Sequence, residues 1–133
     1  MRIADLGAIG SAHADTLVAA GVETTDDLLQ RARSREDRHQ LGKDTGIRDS
    51  LLLRWTNHAE LMAIDGVGHE YATLLEAAGV YCADELGQRD PHRLAESMAD
   101  LIAARATLRH IPEVGEIAYW IAQAQRRAQR VEQ

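Results

Sequence analysis

The sequence predicts an all-α protein, and three observations carry that prediction. No segment alternates apolar and polar residues with the period of a strand. Several segments instead repeat apolar residues every three to four positions. The chain also matches itself without a gap when slid by 58 positions. Ile9 then falls on Val67, Gly10 on Gly68, Ala14 on Ala72, Leu17 on Leu75, Ala19-Ala20-Gly21-Val22 on Ala77-Ala78-Gly79-Val80, Asp26 on Asp84 and Leu28 on Leu86. Such self-similarity means one supersecondary unit used twice.

In the first copy, Gly10 opens a short helix with Ala14, Leu17 and Val18 as its buried positions. Gly21 ends that helix as a left-handed residue, and Val22 supplies the apolar contact that closes such a cap. Thr24 or Thr25 caps a second helix, whose first turn carries Asp26 and Asp27 in favourable alignment with the helix dipole. Arg35–Asp44 reads as a polar helix stopped by Gly46. Asp49–Met62 follows as a helix with Leu52, Trp55, Ala59 and Met62 on one stripe.

The second copy repeats the design with Ala72, Leu75 and Ala78 buried, Gly79 at the helix end and Val80 behind it. Cys82 stands where Thr24 stood, a weaker cap, and reads as a small buried hydrophobe. Trp55 and Tyr71 flank the second glycine segment and are expected to wedge it into the core. Asp90 then caps a helix that opens with Pro91, with Leu94, Met98, Leu101, Ile102 and Leu108 on its core side. Pro112 starts the last helix, with Val114, Ile117, Ile121, Ala124 and Ala128 on one face. Tyr119 and Trp120 there diverge by about 100°, so one of the two can face solvent.

The expected organisation is a single domain over 1–133. A first unit covers about 1–33, a helical linker about 34–48, a second unit about 49–88 and C-terminal helices about 90–130. At 133 residues the chain suits one domain or two very small ones. No apolar run reaches the roughly 20 residues needed to span a bilayer. The first residues lack a secretory signal pattern. Cys82 is the only cysteine, which excludes an internal disulfide and a Cys-rich metal site. A cytoplasmic location is the expectation.

The net charge of −6 is unevenly spread. From Arg31 to Arg54 seven basic residues face four acidic ones, whereas Glu60 to Asp100 holds nine acids and only Arg89 and Arg93. Arg126, Arg127 and Arg130 turn the end basic again. A polyanion would therefore meet residues 31–54 or the last helix.

Two segments, Leu6-Gly7-Ala8-Ile9-Gly10 and Ile64-Asp65-Gly66-Val67-Gly68, place a small residue, an apolar residue and a glycine ahead of a helix. Glycine lets the backbone approach a ligand, and the helix that follows offers unpaired N–H groups to an anion such as phosphate. The candidate nucleic-acid-binding residues are thus Ala8, Ile9, Gly10 and Ser11 in the first segment and Gly66, Val67, Gly68 and His69 in the second. Asp65 and Glu70 oppose an anion at the second. Arg48 and Arg54 join the candidates because Leu41–Leu52 has the helix-turn-helix pattern. Arg48, Arg54, Asn57 and His58 would then be available for phosphates or base edges.

The repeat resembles helix-hairpin-helix motifs. The run from Arg38 to Val80, "RHQLGKDTGIRDSLLLRWTNHAELMAIDGVGHEYATLLEAAGV", and the later "IPEVGEIAYWIAQAQ" are similar to the tandem helix-hairpin-helix proteins of domain-of-unknown-function family 4332. The likeness runs from about residue 3 to 125. It implies two hairpins packed pseudo-symmetrically in one helical fold and implies no known activity. DNA-binding members of the wider helix-hairpin-helix class place Lys or Arg just after the second glycine. This chain has His69-Glu70 at one hairpin and Ser11-Ala12 at the other.

The histidines form no HExxH or His-x3-His pair, and no nucleophile elbow or phosphate loop is present. The expectation is a non-catalytic module without cofactor or metal. It would bind nucleic acid, DNA more than RNA, through hairpin amides. The alternative is a protein–protein adaptor whose hairpins are purely structural. The sequence does not set the oligomeric state.

Overall fold

The computed structural model describes residues 1–105 and 110–133, so the expected core position Leu108 lies outside the described residues. The described chain is helical, with one isolated bridge, Arg2–Thr24, and no strand among the described residues. A single 3-10 turn, Ile3–Asp5, precedes helices α1 (Ser11–Ala19), α2 (Thr25–Ala32), α3 (Arg35–Thr45), α4 (Asp49–Met62), α5 (Gly68–Ala77), α6 (Ala83–Gly87), α7 (Pro91–Arg105) and α8 (Val114–Arg126). The chain forms two compact units. The first is Met1–Ala59 together with Arg130–Gln133, and the second is Glu60–Gln129.

In the first unit the helices start where the sequence offers caps. Thr24 accepts the Asp27 N–H at 3.1 Å, and Asp27 returns a carboxylate oxygen to the Thr24 N–H at 3.2 Å, which closes a capping box on α2. Ser34 caps α3 through the Asp37 N–H, and Gly46 ends it in the left-handed conformation. Ile3, Leu17, Val22, Leu28, Leu41 and Leu52 are fully buried. Burial of such a side chain stabilises by ~1.5–3 kcal/mol each. Val18, expected inside, is 41% exposed, because the apolar stripe of α1 narrows to Ala14 and Leu17.

The second unit packs α8 against α6 and α7, and α5 against α7. Its core gathers Leu61, Ile64, Leu75, Met98, Ile117 and Trp120 among others. Helix α7 starts on Asp90, whose Oδ1 accepts the His92 and Arg93 N–H groups at 2.8 and 3.2 Å. Those bonds hold the Asp90 carboxyl below its ordinary pKa. Helix α8 starts at Val114, two residues after the expected Pro112, on a capping box between Glu113 and Glu116. A hydrogen bond from His110 at 2.8 Å, with the Glu113 N–H, lowers the Glu116 pKa. Ala128 lies beyond this helix and is exposed. Cys82 is buried as expected, and desolvation raises its thiol pKa.

The 58-residue offset extends into hydrogen bonds. Val22 N–H donates to Leu17 O at 2.9 Å, and Val80 N–H donates to Leu75 O at 2.8 Å. Arg31 donates to Ala20 O at the end of α1, and Arg89, 58 positions on, donates to Gly79 O at the end of α5, one residue further along. Asp27 accepts the Glu23 N–H at 3.1 Å, as Glu85 accepts the Tyr81 N–H at 2.9 Å.

Candidate nucleic-acid interface

The two glycine segments are turns of the same local design. Ile9 N–H donates to Leu6 O at 3.1 Å, and Val67 N–H to Ile64 O at 3.0 Å. Ile9 and Val67 are buried, so both side chains anchor their turns and only their backbone is near the surface. Gly10 and Gly68 follow with φ of +81° and +63°. Both are exposed, and a Cβ added at either would meet open space. Ala8, Ser11 and Gly66 are exposed and His69 is half-buried.

Neither α1 nor α5 has a side-chain cap at its N-terminus. By contrast α2, α3, α7 and α8 start on Thr24, Ser34, Asp90 and Glu113. An N-terminus without a side-chain acceptor keeps part of its dipole and donor capacity for an external partner. The two turns differ in charge. The first turn of α1 holds no acidic residue, whereas that of α5 holds Glu70, with the exposed Asp65 just before the glycines.

Each turn rests on an indole through the residue three positions after its second glycine. The His13 ring packs on Trp55 with centroids 5.2 Å apart, and Tyr71 packs on Trp120 at 5.3 Å. Trp55 therefore supports the first turn, not the second as its place in the sequence suggested, and Trp120 takes the role at the second. His13 Nδ1 lies 3.3 Å from Ile9 O. A carbonyl can only accept, so Nδ1 carries the proton there and Nε2 is left on the other side of the ring. Tyr71 OH donates to His110 O at 2.8 Å, and burial raises its pKa, helped by the Glu116 and Glu70 charges.

Helix α8 holds the second turn far more firmly than the sequence indicated. Gln123 accepts the Asp65 N–H at 2.9 Å and donates to Asp65 O at 3.0 Å, while Tyr119 OH donates to Asp65 Oδ2 at 3.2 Å. Gly66, at φ +91°, lies against Trp120: a Cβ there would be 2.9 Å from the indole Nε1. Its glycine is required by the close approach and by the backbone together. Residues 62–71 line an open concavity of about 560 Å³ around this turn.

Arg48 and Arg54 are exposed. The helix-turn-helix expectation keeps these two of its four candidate contacts and loses the others, because Asn57 and His58 are buried and Asn57 exchanges amide hydrogen bonds with Gln133. Two of the basic clusters are also partly spent. Arg38 is buried, and Arg127 is held by the Asp84 carboxylate and Ala124 O, with its Nε 3.4 Å from Glu60 Oε2. Among the described residues no group of three or more His, Cys, Asp or Glu is placed to hold a metal ion, and no helix is long and apolar enough to cross a membrane.

Fold and site together define an all-α chain with two uncapped glycine turns, each seated on a tryptophan. The chain belongs to the family described as a domain of unknown function (DUF4332), whose sequence profile matches residues 7–127. No curated protein and no solved structure matches it.

Proposed function

We propose that the chain is a non-catalytic nucleic-acid-binding module of two helix-hairpin-helix units, and that the first hairpin makes the principal phosphate contact. The observation that carries this reading is the N-terminus of α1. It opens on an exposed glycine at φ +81°, has no side-chain cap and has no acidic residue in its first turn. A phosphate oxygen would accept from the amides that follow Gly10, with the Ser11 hydroxyl as a further donor. Exposed Arg35, Lys43, Arg48 and Arg54, also in the first unit, would add counterion-releasing contacts.

The second hairpin is the weaker anion site. Asp65 and Glu70 would each oppose a phosphate by about 1 kcal/mol before salt screening. Those carboxylates, with Tyr119 52% exposed and Ile111 50% exposed, favour a second reading in which this hairpin face meets a protein.

The test is a binding isotherm on labelled single- and double-stranded DNA and RNA at two salt concentrations. With roughly three neutralised phosphates, affinity should fall about 10- to 50-fold between 50 and 200 mM salt. Ser11→Glu should abolish most binding with an unchanged helical spectrum, and Glu70→Gln should strengthen it slightly. Absence of binding to every nucleic acid at low salt eliminates the proposal. Binding that ignores Ser11→Glu removes the first hairpin from it.

A further inference from the structure

The two glycine turns carry different residues at the position that rests on the indole, and the difference is one of charge. Tyr71 of α5 spends its hydroxyl on His110 O at 2.8 Å, and a phenol cannot become a cation. His13 of α1, 58 positions earlier, can. It is the third residue of its helix, directly before Ala14, whose N–H donates to Gly10 O at 3.0 Å. Helical side chains lean toward the N-terminus, so the imidazole lies back over the turn made by Ile9 and Gly10.

The ring is fixed on two sides. Nδ1 donates to Ile9 O at 3.3 Å, and the ring packs on the buried Trp55 with centroids 5.2 Å apart. Among the described residues Nε2 has no hydrogen-bond partner, and the residue as a whole is exposed. A second proton therefore enters at Nε2 and leaves the bond to Ile9 O in place, so the ring gains a positive charge without having to move. The charged and titratable groups on the elements around it are Arg2 and Asp5 of the 3-10 segment, Asp15 of α1, and Arg54 and the buried His58, before and after Trp55 in α4. Among the described residues no hydrogen bond or ion pair joins any of them to the ring. The first turn of α1 holds no carboxylate to take up the charge either.

We propose that His13 is a pH-dependent phosphate contact of the first hairpin, which tightens nucleic-acid binding as pH falls because Nε2 then presents a proton and a positive charge to the phosphodiester. This role rests on the first hairpin being a nucleic-acid site, and it supplies that site with a regulator the second hairpin lacks.

The experiment measures affinity for labelled duplex DNA against salt at about pH 6 and about pH 8, on the unaltered chain and on His13→Gln, an uncharged replacement that keeps a donor. The unaltered chain should bind about three- to tenfold more tightly at the lower pH. Its slope of log affinity against log salt should steepen there by about 0.9, the worth of one more neutralised phosphate. His13→Gln should stay within about twofold of the unaltered chain at the higher pH and should lose both pH effects. A pH effect that survives His13→Gln belongs to the other histidines and overturns the assignment. A loss of affinity in His13→Gln that is equal at both pH values also overturns it, and leaves the ring as a packing element on Trp55. If His13→Gln is not helical, the imidazole signals of the unaltered chain are followed by NMR. Saturating DNA should move the His13 titration midpoint to higher pH, and an unmoved midpoint overturns the proposal. In each of these outcomes DNA is still bound and the nucleic-acid reading stands; absence of binding at both pH values removes that reading and this role together.

Discussion

The α1–α2 and α5–α6 segments solve one local problem with different atoms. In both, the second helix needs an acceptor for the N–H of its first residue. At Thr25 that acceptor is the backbone carbonyl of Met1, at 2.8 Å. At Ala83, 58 positions on, it is the carboxylate of Glu60, at 3.3 Å. A backbone acceptor needs no counter-charge. A carboxylate that is 7% exposed as a residue needs one, and Arg127 supplies it. The same turn code has therefore brought a buried ion pair into one segment and none into the other. Matching residues 58 positions apart share a local conformation and leave its support to whatever the fold provides.

That difference sets the largest expected effect. Arg127→Met should destabilise the second unit by ~3–5 kcal/mol, because it removes the cation beside both the buried Glu60 and Asp84. The double variant Arg127→Met with Glu60→Gln should recover a good part of the loss, since the neutral amide still accepts from Ala83. Urea unfolding followed by circular dichroism reads both. Equal stability of the single and double variants would mean that the pair adds nothing beyond packing.

The glycines sharpen the contrast. Gly66→Ala places a methyl 2.9 Å from the Trp120 Nε1 at a backbone of φ +91°, and a cost of ~2–4 kcal/mol is expected from strain and clash together. Gly10→Ala meets open space at φ +81°, so only the backbone term of ~1–2 kcal/mol should remain. The same urea titration separates them. Comparable losses would place the second turn's rigidity in its backbone and not in the tryptophan beneath it.

Much of this architecture was legible in the sequence. Asp49–Met62 was bounded correctly as a helix, Gly46 and Asp90 were read as helix ends, and Thr24 was one of the two caps offered for α2, because caps and periodicity are local signals. What escaped was tertiary. The ring-on-indole pairs join residues 42 and 49 positions apart, His13 with Trp55 and Tyr71 with Trp120, and no local pattern announces them. The offset of 58 could have found one half of that signal, since His13 falls on Tyr71. Arg38, Asn57 and Arg127 looked like solvated side chains because nothing in their neighbourhood names a distant carbonyl or carboxylate. The clean first turn of α1 was present in the sequence as Ser11-Ala12-His13. Its significance emerges only beside the four helices that do carry side-chain caps.

The smallest expected effect tests the cap itself. Thr24 and Cys82 hold nearly the same backbone, at φ −126° and ψ 165° against φ −148° and ψ 168°, but only the threonine hydroxyl accepts from the third residue of its helix. Thr24→Ala should cost ~1 kcal/mol, the usual worth of such a cap. Cys82→Thr offers α6 the missing acceptor but brings a hydroxyl to a site that is 4% exposed. Its gain is therefore bounded by a few tenths of a kcal/mol, because the new group must satisfy its own hydrogen-bonding needs where sulfur had few. A gain as large as the Thr24→Ala loss would show that Glu60 leaves α6 under-capped. A net loss would show that the carboxylate already does the work of the absent hydroxyl, and that Cys82 is held for its packing.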